Sequence, residues 1–213
     1  MPMTDVEKAF EVVVRFRAAH EYPLMKATNG LRSVVHTVGC EAKVSQRLKR
    51  IPTIIDKLRR HAGMELGRMQ DIGGCRALLT SIADLRLVES RLRKNHPSGR
   101  SYDYIASPRE SGYRAVHVVV SYKDRQGVRR PIEVQLRTWG MHEWAYTVER
   151  LSSRSAIDLK SGEGPAEVQA WLQAISGAMA LEEAGGTVSK EEQDRITRLR
   201  GATVDFLNRG ASG

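Results

Sequence analysis

The sequence predicts an α+β fold, a mixed β-sheet of about five strands flanked by N- and C-terminal helices. Three observations predict it. Two β-patterned runs, 114–122 and 131–138, bracket the turn-forming segment KDRQGVRR, which is a hairpin signal with a loop longer than the tightest turns. A buried-strand pattern over 71–80 leads into an amphipathic helix over 82–95. Helical spacing of apolar residues marks both ends of the chain.

At the N-terminus, Val6, Phe10 and Val13 keep helical spacing over 4–20, behind Thr4 as N-cap. After a break at Tyr22-Pro23, a second helix is expected over 24–38, weakened near Asn29-Gly30. The stretch 44–61, VSQRLKRIPTIIDKLRRH, carries six basic residues, and Pro52 suits the first turn of a helix. Ile54, Ile55 and Leu58 give that helix its buried stripe. The basic residues fit a solvated face or a polyphosphate site.

The run MQDIGGCRALLTS follows. Asp71 heads a buried strand, as a turn carboxylate or as a metal ligand, and Gly73 and Gly74 permit close backbone approach. Arg76 is out of place in an apolar strand, because a buried guanidinium without a partner is costly. In the hairpin, Glu133, Gln135 and Arg137 alternate with Ile132, Val134 and Leu136, so the two sets take opposite faces. Tyr113, Ala115, His117 and Val119 fall on one face of the preceding run. If the polar faces match, Tyr113, His117, Glu133, Gln135 and Arg137 line one sheet surface, although any half-exposed strand alternates in this way. A helix is expected over 141–151, then a polar loop over 152–165, then helices over roughly 165–184 and 190–208, the last opened by a capping-box pattern at Ser189 and Glu192.

The 213 residues suit one domain or a domain with an appendage. No apolar run reaches the ~20 residues that span a bilayer, and Cys40 and Cys75 form no metal-ligand spacing, so a cytoplasmic protein without membrane contact is expected. The net charge of +9 favours anionic partners such as nucleotides or RNA. A Walker loop, a GxGxxG turn and an HExxH helix are all absent from the sequence.

Four separated blocks, RLKRIPTIIDKL, DIGGCRALL, DYIASPRESGYRAVH and EVQLRTWGMHEWA, stand in an order that resembles the synthetase domain of the RelA/SpoT family. The resemblance implies a nucleotidyltransferase-like sheet that moves the β,γ-pyrophosphate of ATP to a ribose 3′-hydroxyl, releasing AMP. It implies a layout of helices packing on the core at 1–40, a synthetase core at 41–153 and a helical extension at 154–213. Carried onto matching positions, Arg47 and Arg76 resemble the pair that sandwiches adenine, and Lys49 and Lys57 the phosphate-holding lysines. Asp71 and Glu133 resemble the Mg²⁺ carboxylates, with Glu133 also the base for the attacking hydroxyl. Tyr113 resembles the aromatic that stacks on the acceptor base, with Arg109, His117, Gln135 and Arg137 beside it.

The acceptor loop departs from the family pattern Pro-Lys-x-Asn-Gly-Tyr. It reads Pro108-Arg109-Glu110-Ser111-Gly112-Tyr113, which keeps a charge but loses an amide. The companion hydrolase's histidine-aspartate pair is missing from the sequence, so a synthetase-only small form is expected. Within the family, the acceptor is GDP, GTP or a related nucleotide; toxic relatives with antitoxins modify the tRNA 3′ end instead. A tRNA acceptor would need a phosphate-tracking surface, for which Arg59, Arg60, Lys123, Arg125, Arg129 and Arg130 are candidates. A binding module without catalysis is the remaining reading, and the presence of both Asp71 and Glu133 speaks against it. Small relatives often assemble as homo-oligomers, so oligomerisation is also implied.

Overall fold

A computed structural model describes residues 3–155 and 157–210. Its sheet is mixed, as expected, and has five strands, β1 (Ala42–Leu48), β2 (Gly73–Leu79), β3 (Arg100–Asp103), β4 (Val116–Lys123) and β5 (Arg129–Thr138), in the order β1-β2-β5-β4-β3. The chain forms two compact units that interleave along the sequence. Unit 1 comprises Met1–Leu79, Asp84–Tyr102 and His117–Leu136; unit 2 comprises Thr80–Ala83, Asp103–Val116 and Arg137–Gly213.

In unit 1, α1 (Asp5–Ala18) begins with a full capping box between Thr4 and Glu7. Helix α2 (Glu21–Thr37) starts three residues before the expected start at Leu24 and runs through the expected break. Pro23 falls in its first turn, where the missing N–H is one that no helical carbonyl could have used. The helix also runs unbroken through Asn29-Gly30. Its buried face, Leu24, Ala27, Thr28, Leu31, Val34 and Val35, packs on β1 (Ala42–Leu48) and β2 (Gly73–Leu79).

Strand β1 lies where the sequence suggested only the approach to a helix. Its residues are all half-buried or exposed, so the apolar alternation that marks a strand is faint. It pairs antiparallel with β2 in a register that sets Arg47 opposite Gly74 and Ser45 opposite Arg76. Helix α3 (Ile51–Arg60), with Pro52 in its first turn, buries Ile54 in a cluster with Val13, Met69 and Ile72. Helix α4 (Ile82–Asn95) matches the expected bounds and buries Leu85, Val88 and Leu92.

Strand β3 (Arg100–Asp103) has no counterpart among the elements expected from the sequence. Strands β4 (Val116–Lys123) and β5 (Arg129–Thr138) form the hairpin, closed by Asp124, whose carboxylate accepts from the amides of Gln126 and Val128. Cys75 is core, and burial pushes its thiol up to about 12.

Unit 2 holds α5 (Trp139–Ser155), α6 (Ala166–Glu183) and α7 (Lys190–Gly210). Their core gathers Tyr113, Ala115, Trp144, Val148, Leu159, Val168 and Leu172. The polar segment after α5 is more structured than its composition suggested. A short 3-10 turn at Leu159–Ser161 buries Leu159 completely, and Gln169 donates to its carbonyl. At α7 half of the expected capping box forms, because the Glu192 amide reaches Ser189 Oγ while the Glu192 carboxylate takes Arg195.

Candidate active site

The acidic centre of unit 1 is Asp71, two residues ahead of β2. Lys49, just past β1, and Lys57, half-buried on α3, converge on its Oδ2 at 2.8 and 2.9 Å. Local structure dictates the convergence. The Lys49 amide donates to the Ile72 carbonyl, Arg17 Nε holds the Lys49 carbonyl, and Ile54 anchors α3 in the core. Burial alone would push the Asp71 carboxyl up, but the two ammonium groups outweigh it and hold the group below the usual carboxylate range. Asp71 Oδ1 is buried and has no hydrogen-bond partner.

Glu133 lies on β5, beside β2. A Cβ on Gly74 would stand 3.6 Å from the Glu133 carbonyl, in ordinary van der Waals contact, so the two strands lie side by side at this point. The carboxylate meets His117 Nδ1 at 3.1 Å through Oε1, and Gln135 Nε2 donates to Oε2. Arg47 is exposed and Arg76 half-buried, on alternate positions of one face of the β1–β2 pair. Unit 1 thus holds Lys49, Lys57 and Asp71 in one cluster, His117, Glu133 and Gln135 in another, and Arg47 and Arg76 on one face of the β1–β2 pair.

The other three sequence candidates belong to unit 2. Tyr113 precedes β4, with Gly112 before it at φ +88°, and it packs into the core rather than standing in the His117 row of the strand. It is only 1% exposed. Arg137, 2% exposed, donates to the Tyr113 hydroxyl at 2.8 Å. Arg109 is exposed, lies 4.6 Å from the Tyr104 ring centre and donates to the Tyr104 hydroxyl. The single polar surface expected for Tyr113, His117, Glu133, Gln135 and Arg137 therefore resolves into one trio in unit 1 and one buried pair in unit 2. The sequence reading did not include Lys160, whose ammonium sits 4.7 Å above the Tyr113 ring and pairs with Glu149. Nothing in the polar segment that carries it signals the contact. Of the basic residues considered for RNA, Arg59, Arg60, Lys123, Arg125 and Arg129 are exposed, whereas Arg130 is held by buried Asp124 at 2.9 Å.

The donor set suits a hard divalent cation. Among the described residues no group of three or more His, Cys, Asp or Glu could cage a metal. Mg²⁺ needs no such cage, since it commonly takes one or two carboxylates and completes its shell with water and substrate phosphate. The buried, unpartnered Asp71 Oδ1 is an oxygen in want of such a partner.

A family model described as a region found in RelA/SpoT proteins matches residues 46–151. GTP pyrophosphokinase YjbM of Bacillus subtilis is 34% identical over 160 residues, covering 71% of this chain and 73% of that protein. A guanosine-3′,5′-bis(diphosphate) 3′-pyrophosphohydrolase of Aquifex aeolicus is 30% identical over 68% of this chain, which spans only 20% of that longer protein. Among solved structures, small alarmone synthetase 1 of Bacillus subtilis bound to its product pppGpp superposes with a TM-score of 0.63. The match is 26% identical and covers 90% of this chain and 96% of that one. No described helix is long and apolar enough to cross a membrane.

Proposed function

The chain belongs to the RelA/SpoT family, and from that premise we propose that it is a small alarmone synthetase. It transfers the β,γ-pyrophosphate of ATP to the ribose 3′-hydroxyl of GDP or GTP, makes a (p)ppGpp-type product and releases AMP. One observation carries the reading: Asp71, just ahead of the strand that neighbours the one bearing Glu133, offers one oxygen to two lysines and keeps the other buried and unpartnered.

The chemistry asks for positioning and charge neutralisation more than for covalent participation. Arg47 and Arg76 present planar cations from one strand face, suited to holding a purine from both sides. Lys49 and Lys57 place two positive charges where the donor's phosphates gather negative charge. Glu133, steadied by His117 and Gln135, takes the proton from the attacking hydroxyl. Asp71 through Oδ1, together with Glu133, would hold Mg²⁺. When bound, the cation supplies charge stabilisation to the transferred group. Of the three acceptor candidates, exposed Arg109 serves the acceptor directly, while Tyr113 and Arg137, buried on each other, support the loop that carries it.

Incubation with γ-³²P-ATP and either GDP/GTP or deacylated tRNA tests the proposal. Label is expected on the guanine nucleotide. Glu133→Gln should abolish transfer, a loss of about 10³-fold or more, while ATP binding persists. Label on RNA alone would replace the acceptor, and wild-type rates in the Gln variant would remove Glu133 from the chemistry.

A further inference from the structure

In unit 2, the loop that carries Arg109 and Tyr113 is fastened from outside itself. On α6, Gln173 Nε2 donates to the Glu110 carbonyl and Ser176 Oγ donates to the Gly112 carbonyl, each at 2.5 Å. The contact is close along its length. A Cβ on Gly112 would stand 3.0 Å from Ser176 Cβ and 3.2 Å from Gln173 Cα, so glycine is what lets the helix seat here. Ser111 is fully buried and gives its hydroxyl to the Lys160 carbonyl at 2.9 Å. The residue that departs from the family's asparagine therefore binds the protein's own backbone.

The far end of α6 is tied down as well. Glu183 accepts from Thr138 Oγ1 and pairs with Arg114, which follows Tyr113 directly. Helix and loop together wall a groove of about 380 Å³ that includes Arg109, Arg114, Gln173 and Ser176.

We propose that Gln173 and Ser176 are positioning residues for the acceptor: α6 is the rigid rail that fixes the height of the loop and so the placement of Arg109 and Tyr113. The inference rests on the acceptor role given to this loop under the proposed function. A loop hydrogen-bonded only to itself keeps several backbone conformers, and the acceptor would have to select one of them. Two bonds from a packed helix remove that selection before the acceptor arrives. The ATP-holding residues all lie in unit 1, so an effect confined to the acceptor is expected.

Steady-state kinetics with ATP and GDP varied separately tests this on wild type, Gln173→Ala, the near-isosteric Gln173→Glu, and Ser176→Ala. Each variant removes one donor. Each should raise the KM for GDP about fivefold and leave the KM for ATP unchanged. Gln173→Glu keeps the side chain's bulk, so the same rise in that variant ties the effect to the lost N–H. If wild type transfers to GDP and both Gln173 variants keep its acceptor KM, or change both KM values in parallel, α6 is not the rail. If wild type transfers nothing to GDP, the acceptor reading itself is wrong, and this inference falls with it.

Discussion

Asp71 shows how much one residue can be asked to do. With its lysines it forms an ion pair, and its second oxygen is the one proposed to hold Mg²⁺. Its folded pKa lies below the ordinary value of 3.8. A carboxyl of that kind stabilises the fold fully above its unfolded pKa, and the contribution is lost as pH falls through the lower, folded value. Asp71→Asn should therefore cost roughly 2 kcal/mol in urea unfolding at pH 7, since two half-buried ammonium groups lose their charge partner. The gap between wild type and variant should close as the pH is taken below 3.8 and onward through the folded value. A gap that persisted unchanged at low pH would mean that the ion pair is not its source. The same substitution should remove Mg²⁺-dependent ATP binding at pH 7, read by titration calorimetry.

At the scale of elements, the residues proposed for the donor half stand out in the sequence because their signals are local. An acid heading an apolar run, an arginine inside one, and a strict alternation around Glu133 are all visible in a short window. Strand β1 was hidden because so little of it is buried that its alternation fades, and β3 because four residues show no period. The fate of Tyr113 could not be read locally either. It is covered by Trp144 and by the α6 core, far along the chain, and the turn at Gly112 takes it out of the strand row that its spacing suggested. Gly112 gives this a sharp test. At φ +88° an alanine is strained on its backbone alone, and its methyl would meet Ser176. Gly112→Ala should cost about 2–3 kcal/mol in urea unfolding. Gly127, also at positive φ but with open space around it, should cost less when replaced by alanine. Equal losses at the two sites would show that contact with α6 adds nothing.

For the whole molecule, the question left by a charge of +9 is what the positive surface serves. Several of the cations already have work inside the protein: Lys49 and Lys57 hold Asp71, Arg130 holds Asp124, and Arg137 is buried on Tyr113. The exposed remainder on the hairpin, Lys123, Arg125 and Arg129, lies at the end of β4, in the turn and at the start of β5. For a GDP or GTP acceptor, replacing Arg125 and Arg129 together by serine should leave kcat/KM within about twofold, the range of ordinary surface substitutions. An RNA acceptor makes the opposite demand. Each lysine or arginine that neutralises a phosphate releases a counterion, so binding weakens steeply with salt, by a log–log slope of about 0.7 per contact on single strands. Removing two such contacts would lower affinity for deacylated tRNA and flatten that slope by about 1.4, measured by fluorescence anisotropy between 50 and 200 mM salt. An unchanged rate with GDP and an unchanged salt slope with tRNA together keep the acceptor a nucleotide. A flattened slope with a falling rate of label transfer to RNA would move it to the tRNA 3′ end.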